Sequence, residues 1–98
     1  MTKTDKKREK QLREMLTNLC EQHCKNMPGF CWLTHHIDWK SPQTSFALTL
    51  VFADGIDRDA FIGSSEQAQL EREVHDILKA MGVALKHTAK HIKYDYNS

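Results

Sequence analysis

Leu12, Met15, Leu16, Leu19, Cys20, His23 and Cys24 recur at the three- and four-residue intervals of a single helical face. A helix with one apolar stripe cannot stand alone, so the chain must supply a second layer to cover it. Pro28-Gly29 stops the helix, because proline cannot continue it and disfavours helical backbone in the residue before. The period then changes from helical to two. From Phe30 to Trp39, Cys31, Leu33, His35, Ile37 and Trp39 alternate with Trp32, Thr34, His36 and Asp38, as in a half-buried strand. After a loop at Lys40-Ser41-Pro42-Gln43-Thr44, Phe46, Leu48, Leu50 and Phe52 alternate with Ala47, Thr49, Val51 and Ala53. The two strands are expected to pair antiparallel.

Asp54-Gly55 is a turn signal, residues 57–62 read as a short helix, and Gly63-Ser64-Ser65 breaks it. Ser64 with Gln67 three positions on is a capping-box pattern. It opens a helix whose stripe is Leu70, Val74, Ile77, Leu78 and Met81, ending at Gly82. Val83, Leu85, His87 and Ala89 alternate as a third strand, whereas Ile92, Tyr94 and Tyr96 keep the opposite parity. A bulge or strand end is therefore expected at residues 88–91. The order α-β-β-α-α-β predicts an α+β fold, a two-layer sandwich with both main helices on one face of a three-stranded sheet. Leu33, Ile37, Leu48, Leu50, Phe52, Val83 and Leu85 are the expected inner face. No element remains to cover the outer one.

The 98 residues suit one domain over 1–98. Residues 1–8 are expected as a frayed basic arm, because Lys6, Lys7, Arg8 and Lys10 crowd the positive end of the first helix's dipole. An apolar fraction of 40% with 28% charged residues excludes a wholly disordered chain. No apolar run approaches the ~18 residues of a membrane span, and the Lys-rich start lacks the apolar segment of a secretory signal. Three cysteines within residues 20–31, an odd number, point to free thiols in a reducing cytoplasm.

Charge is distributed unevenly. Residues 1–13 carry a net +4, residues 83–98 a net +2, and the stretch between a net −5. A run such as Lys3, Lys6, Lys7, Arg8, Lys10 and Arg13 is able to track phosphates, and Lys86, Lys90 and Lys93 would extend it; a plain solvated helix end gives the same pattern. On the uncovered sheet face, Trp32, Thr34, His36, Thr49 and Val51 form a candidate interaction surface, together with Ala47. Such a face suits a homodimer or another protein partner, an aromatic platform for single-stranded nucleic acid, or a tryptophan that is merely half-buried.

Cys20, His23, Cys24, Cys31, His35 and His36 are zinc-type ligands without zinc-site spacing, and Cys20 and Cys24 lie on an apolar stripe. No nucleophile, base and orienting acid are grouped, so neither a catalytic residue nor a metal or cofactor is expected. The element order is that of the bacterial type of KH domain, which clamps nucleic acid with a Gly-x-x-Gly loop. Here that place holds Gly63-Ser64-Ser65-Glu66, with an acid where the second glycine belongs.

Thr4-Asp5-Lys6-Lys7, Cys20-Glu21, Gly29-Phe30, Trp32-Leu33-Thr34-His35 and Tyr94-Asp95 resemble, along the whole chain, a family of small uncharacterised bacterial proteins. Some members carry the label of Fis-type transcriptional regulator. That label implies an all-helical protein ending in a helix-turn-helix, where these residues read as strand. The resemblance implies a bacterial cytoplasm and no particular site residue. The leading expectation is a non-enzymatic interaction domain that pairs with itself or another protein through the open face. The alternative is a nucleic-acid-binding regulator using the N-terminal arm and the third strand.

Overall fold

In the computed structural model, which describes residues 3–97, the elements are α1 (Lys3–Gln22), a 3-10 turn (Cys24–Asn26), β1 (Phe30–His36), α2 (Pro42–Ser45), β2 (Ala47–Phe52), α3 (Gly55–Phe61), α4 (Ser65–Ala80), a second 3-10 turn (Thr88–His91) and β3 (Ile92–Tyr96). This is the expected α+β order, with α2 as a one-turn addition where a plain loop was expected. The arm expected over residues 1–8 is helical from Lys3 onward; residues 1 and 2 lie outside the described residues.

The sheet runs β1-β2-β3. β1 and β2 pair antiparallel, and β2 and β3 parallel, because α3 and α4 carry the chain back before β3 begins. One cluster unites the layers: Leu12, Leu16 and Leu19 of α1, Leu48, Leu50 and Phe52 of β2, and Leu70, Val74 and Leu78 of α4. Phe52 sits at its centre, wholly buried, with Phe30 and Phe61 meeting its ring edge-on at 6.1 and 5.3 Å.

Two strand readings need correction. Cys31 does not join Leu33 on the inner face; it is exposed, because the register slips between Phe30, opposite Phe52, and Trp32, opposite Val51. The extra residue is a bulge that lets Phe30 and Leu33 both face inward. The third strand is Ile92–Tyr96 and does not begin at Val83. Val83 and Leu85 are buried as expected, but in irregular backbone. The reason is local: Gly82 at φ 83 turns the chain, with Gly82 N donating to Lys79 O and Val83 N to Leu78 O, so Val83 is folded back on α4. Lys86 and Lys90 therefore precede the strand.

The start of α4 follows its capping pattern. Ser64 Oγ accepts from Gln67 N at 3.3 Å, and Gln67 Oε1 accepts from Gly63 N at 2.6 Å.

Gly29 is fixed twice over, by φ 73 and by the nearness of α3, since a Cβ there would overlap the carboxylate and Cβ of Asp57. Gly82 shares the left-handed backbone but has open space around it. Gly82→Ala should cost about 1 kcal/mol in urea unfolding, the backbone penalty alone, and Gly29→Ala roughly twice that or more. Equal losses would mean that Asp57 moves aside freely.

Candidate nucleic-acid interface

The site grows from one carboxylate. Glu9, on the second turn of α1, accepts from His35 Nε2 at 2.6 Å through one oxygen and from Trp39 Nε1 at 3.0 Å through the other. Burial favours the neutral acid, but the two hydrogen bonds, with the electrostatic pull of the nearby His35 and Arg13, outweigh it and hold the carboxyl below its usual value. An ionised Glu9 can only accept, so His35 carries its proton on Nε2. Next to it Arg8 stacks over the Trp39 ring at 4.5 Å and donates to Met81 O at 3.4 Å, closing the C-terminal end of α4.

These contacts bring the start of α1, the end of β1 and the end of α4 to one end of the molecule. The second 3-10 turn joins them, because His91 Nδ1 donates to Phe46 O at 2.8 Å and Ile92 pairs with Leu48. At the opposite end, His23 lies 3.7 Å from Glu73, Tyr94 Oη donates to Glu71 at 3.0 Å, and Arg58 stacks over Tyr96. Burial raises the pKa of the Tyr94 phenol; a hydrogen bond from Gln67 opposes that and the Glu71 carboxylate adds to it.

The uneven charge of the sequence thus becomes polarity in space. Residues 3–14, 35–49 and 76–93, at the Glu9 end, contain eleven basic and five acidic side chains; the other described segments contain three and eight. The molecule is 41 Å long and 23 × 22 Å across, so its ends are separated by far more than a Debye length of ~10 Å and act as distinct fields.

Of the expected contacts, Lys6, Lys7, Lys10 and Arg13 are exposed on the outer surface of α1, while Arg8 is engaged with Trp39 and Met81. Lys90 lines two adjoining cavities, and Lys86 one of them. One, of 440 Å³, also has Gln43, Thr44, His87 and His91 in its wall; the other, of 530 Å³, shares Thr44, Lys90 and His91 and adds Lys93. No acidic side chain lines either. His87 and His91 carry no motif of their own; the parity change at Ile92 is the one sequence signal that a turn gathers them at the surface. Ser64 and Glu66 of the Gly63–Glu66 segment instead border a 170 Å³ apolar cavity at the acidic end, shared with Asp57.

The outer sheet face is laid out in rows: Trp32-Val51-Asp95, Thr34-Thr49-Lys93 and His36-Ala47. Trp32 is 46% exposed, Thr34 and His36 are exposed, and Thr49 and Val51 are half-buried. The face and the basic end meet at Lys93.

The candidate metal ligands separate. Cys24 is buried and Cys31 exposed, His35 is held by Glu9, and among the described residues no three such side chains converge. Burial, reinforced by Cys20, pushes the Cys24 thiol up to about 12, and burial with Glu21 raises Cys20, so both stay protonated at neutral pH. Among the described residues no helix is long and apolar enough to cross a membrane. The chain matches no protein-family model, no curated protein and no solved structure.

Because the folded carboxyl of Glu9 titrates below its unfolded value, its contribution is complete above the ordinary carboxylate pKa of 4.5 and fades as pH falls through the lower folded value. Glu9→Gln should cost roughly 1–3 kcal/mol at neutral pH. In denaturant titrations that gap should stay constant down to about pH 4.5 and then close as Glu9 protonates. A gap unchanged at pH 2 would show that shape, and not charge, holds the site.

Proposed function

We propose that the chain is a non-enzymatic, nucleic-acid-binding regulator of the cytoplasm that grips the phosphate backbone with its basic end. The observation that carries this is convergence: lysines more than seventy positions apart in sequence lie at one end of the molecule, and those that follow α4 stand around two open cavities without an acidic side chain in their walls. Nucleic acid is the polyanion whose repeating charge suits a surface this broad. The only tryptophan in the basic end, Trp39, is buried beneath Arg8, so no base-stacking ring is offered there and backbone recognition is the expected mode. Phosphates would be met by Lys86, Lys90 and Lys93 on one side and by Lys6, Lys7, Lys10 and Arg13 on the other, all exposed. The free thiols suit a reducing compartment.

Titration with short RNA and DNA at increasing salt tests this. Affinity should fall linearly on a double-logarithmic plot, and replacing Lys86, Lys90 and Lys93 together by alanine should reduce the slope by about 2–3. Replacing Lys25 and Arg72 at the far end should leave it unchanged. Absence of binding at low salt, binding indifferent to salt, or equal losses in the two variants would refute the assignment.

A further inference from the structure

A three-stranded sheet has two outer edges, and this one treats them differently. β3 is five residues long and carries Lys93 and Asp95, the charged marking that discourages another strand from adding on. β1 is seven residues long, Phe30–His36, and contains no lysine, arginine, acid, proline or glycine. Its inner neighbour is β2 and no described strand pairs with its other side. Next to that bare edge, on the uncovered face, stands Trp32 at 46% exposure.

We infer that β1 pairs edge to edge and antiparallel with β1 of a second copy, joining two three-stranded sheets into one of six. Charge selects both the occupant and the direction. β1 runs from the acidic end toward the basic end, so an antiparallel neighbour sets the basic end of each copy beside the acidic end of the other. Parallel pairing would oppose like charges along the full length of the molecule. The bulge at Cys31 fixes the register, since the regular part of the strand is Trp32–His36 and its midpoint is Thr34. A two-fold axis through Thr34 places Trp32 opposite His36 of the second copy, and Thr34 opposite Thr34. The edges that remain are the charged β3 strands, so assembly stops at two.

Sedimentation from micromolar to millimolar protein tests the pairing. The expected result is a shift from monomer mass to twice that mass, with a dimerisation constant that weakens several-fold as salt is raised. Thr34→Lys, an exposed position that sets two like charges face to face on the axis, should keep the circular dichroism of the fold and remain monomeric at every concentration, while Lys93→Gln on the other edge should still dimerise. Amide exchange gives a second measure on the unaltered chain: amides of residues 32–36 that face away from β2 should exchange more slowly in concentrated than in dilute solution. A monomer at millimolar concentration and low salt, a dimer indifferent to salt, a folded Thr34→Lys dimer, or exchange that ignores concentration would overturn the inference.

Discussion

Glu9 decides where the longest helix meets the sheet. Its two oxygens are spent on His35 and Trp39, one near the end of β1 and the other beyond it, so α1 has a fixed height along the strand as well as a fixed face. The apolar stripe alone would not do this, because Leu12, Leu16 and Leu19 are similar in size and a slide of one turn leaves a stripe still facing the core. A part-buried carboxylate has no such tolerance: shifted by a turn it would lose both donors and remain desolvated. Arg8 follows from the same anchorage, since it reaches Trp39 and Met81 only while Glu9 holds the helix in place. Helix, strand and the end of α4 are thereby locked together, and the lysines of α1 share an end with those that follow α4.

The polarity of the molecule is a product of chain path. α1 runs from the basic end to the acidic one and α4 runs back, so the acid-rich segment between residues 50 and 75 is gathered at the end where Glu71 and Glu73 meet Tyr94 and His23. A net charge of +1 says little about such a particle. At distances of a few ångströms a ligand meets one end or the other, each with its own sign.

Sequence patterns that repeat within one element were readable. The stripe of α1, the Ser64-Gln67 cap, the end of α4 at Gly82 and the antiparallel pairing of β1 with β2 all depend on neighbours a few residues away, and all are present. What the pattern could not show depends on distant partners. Cys31 alternates correctly with Leu33, yet a bulge turns it outward so that Phe30 can reach Phe52. Val83 and Leu85 alternate like a strand, yet the turn at Gly82 presses them onto α4 and hydrogen-bonding begins only at Ile92. Of the candidate site, the exposed lysines and Trp32 were visible as residue types. That the two basic segments share an end was not, because it follows from Glu9, His35 and Trp39, which carry no motif.

The parallel pairing of β3 with β2 bears on how the chain comes to be folded. β2 lies between its neighbours, and one of them, residues 92–96, is separated from it in the chain by both α3 and α4. Until β3 docks, the chain holds a hairpin whose central strand lacks a partner on one side, with Leu48, Leu50 and Phe52 awaiting their neighbours Ile92, Tyr94 and Tyr96. The hairpin is a local structure and closes early; the crossover contact spans two helices and closes last. Sheet completion is thus the longest-range step in building this sheet, and a change that keeps residues 92–96 from docking would take a whole strand from it.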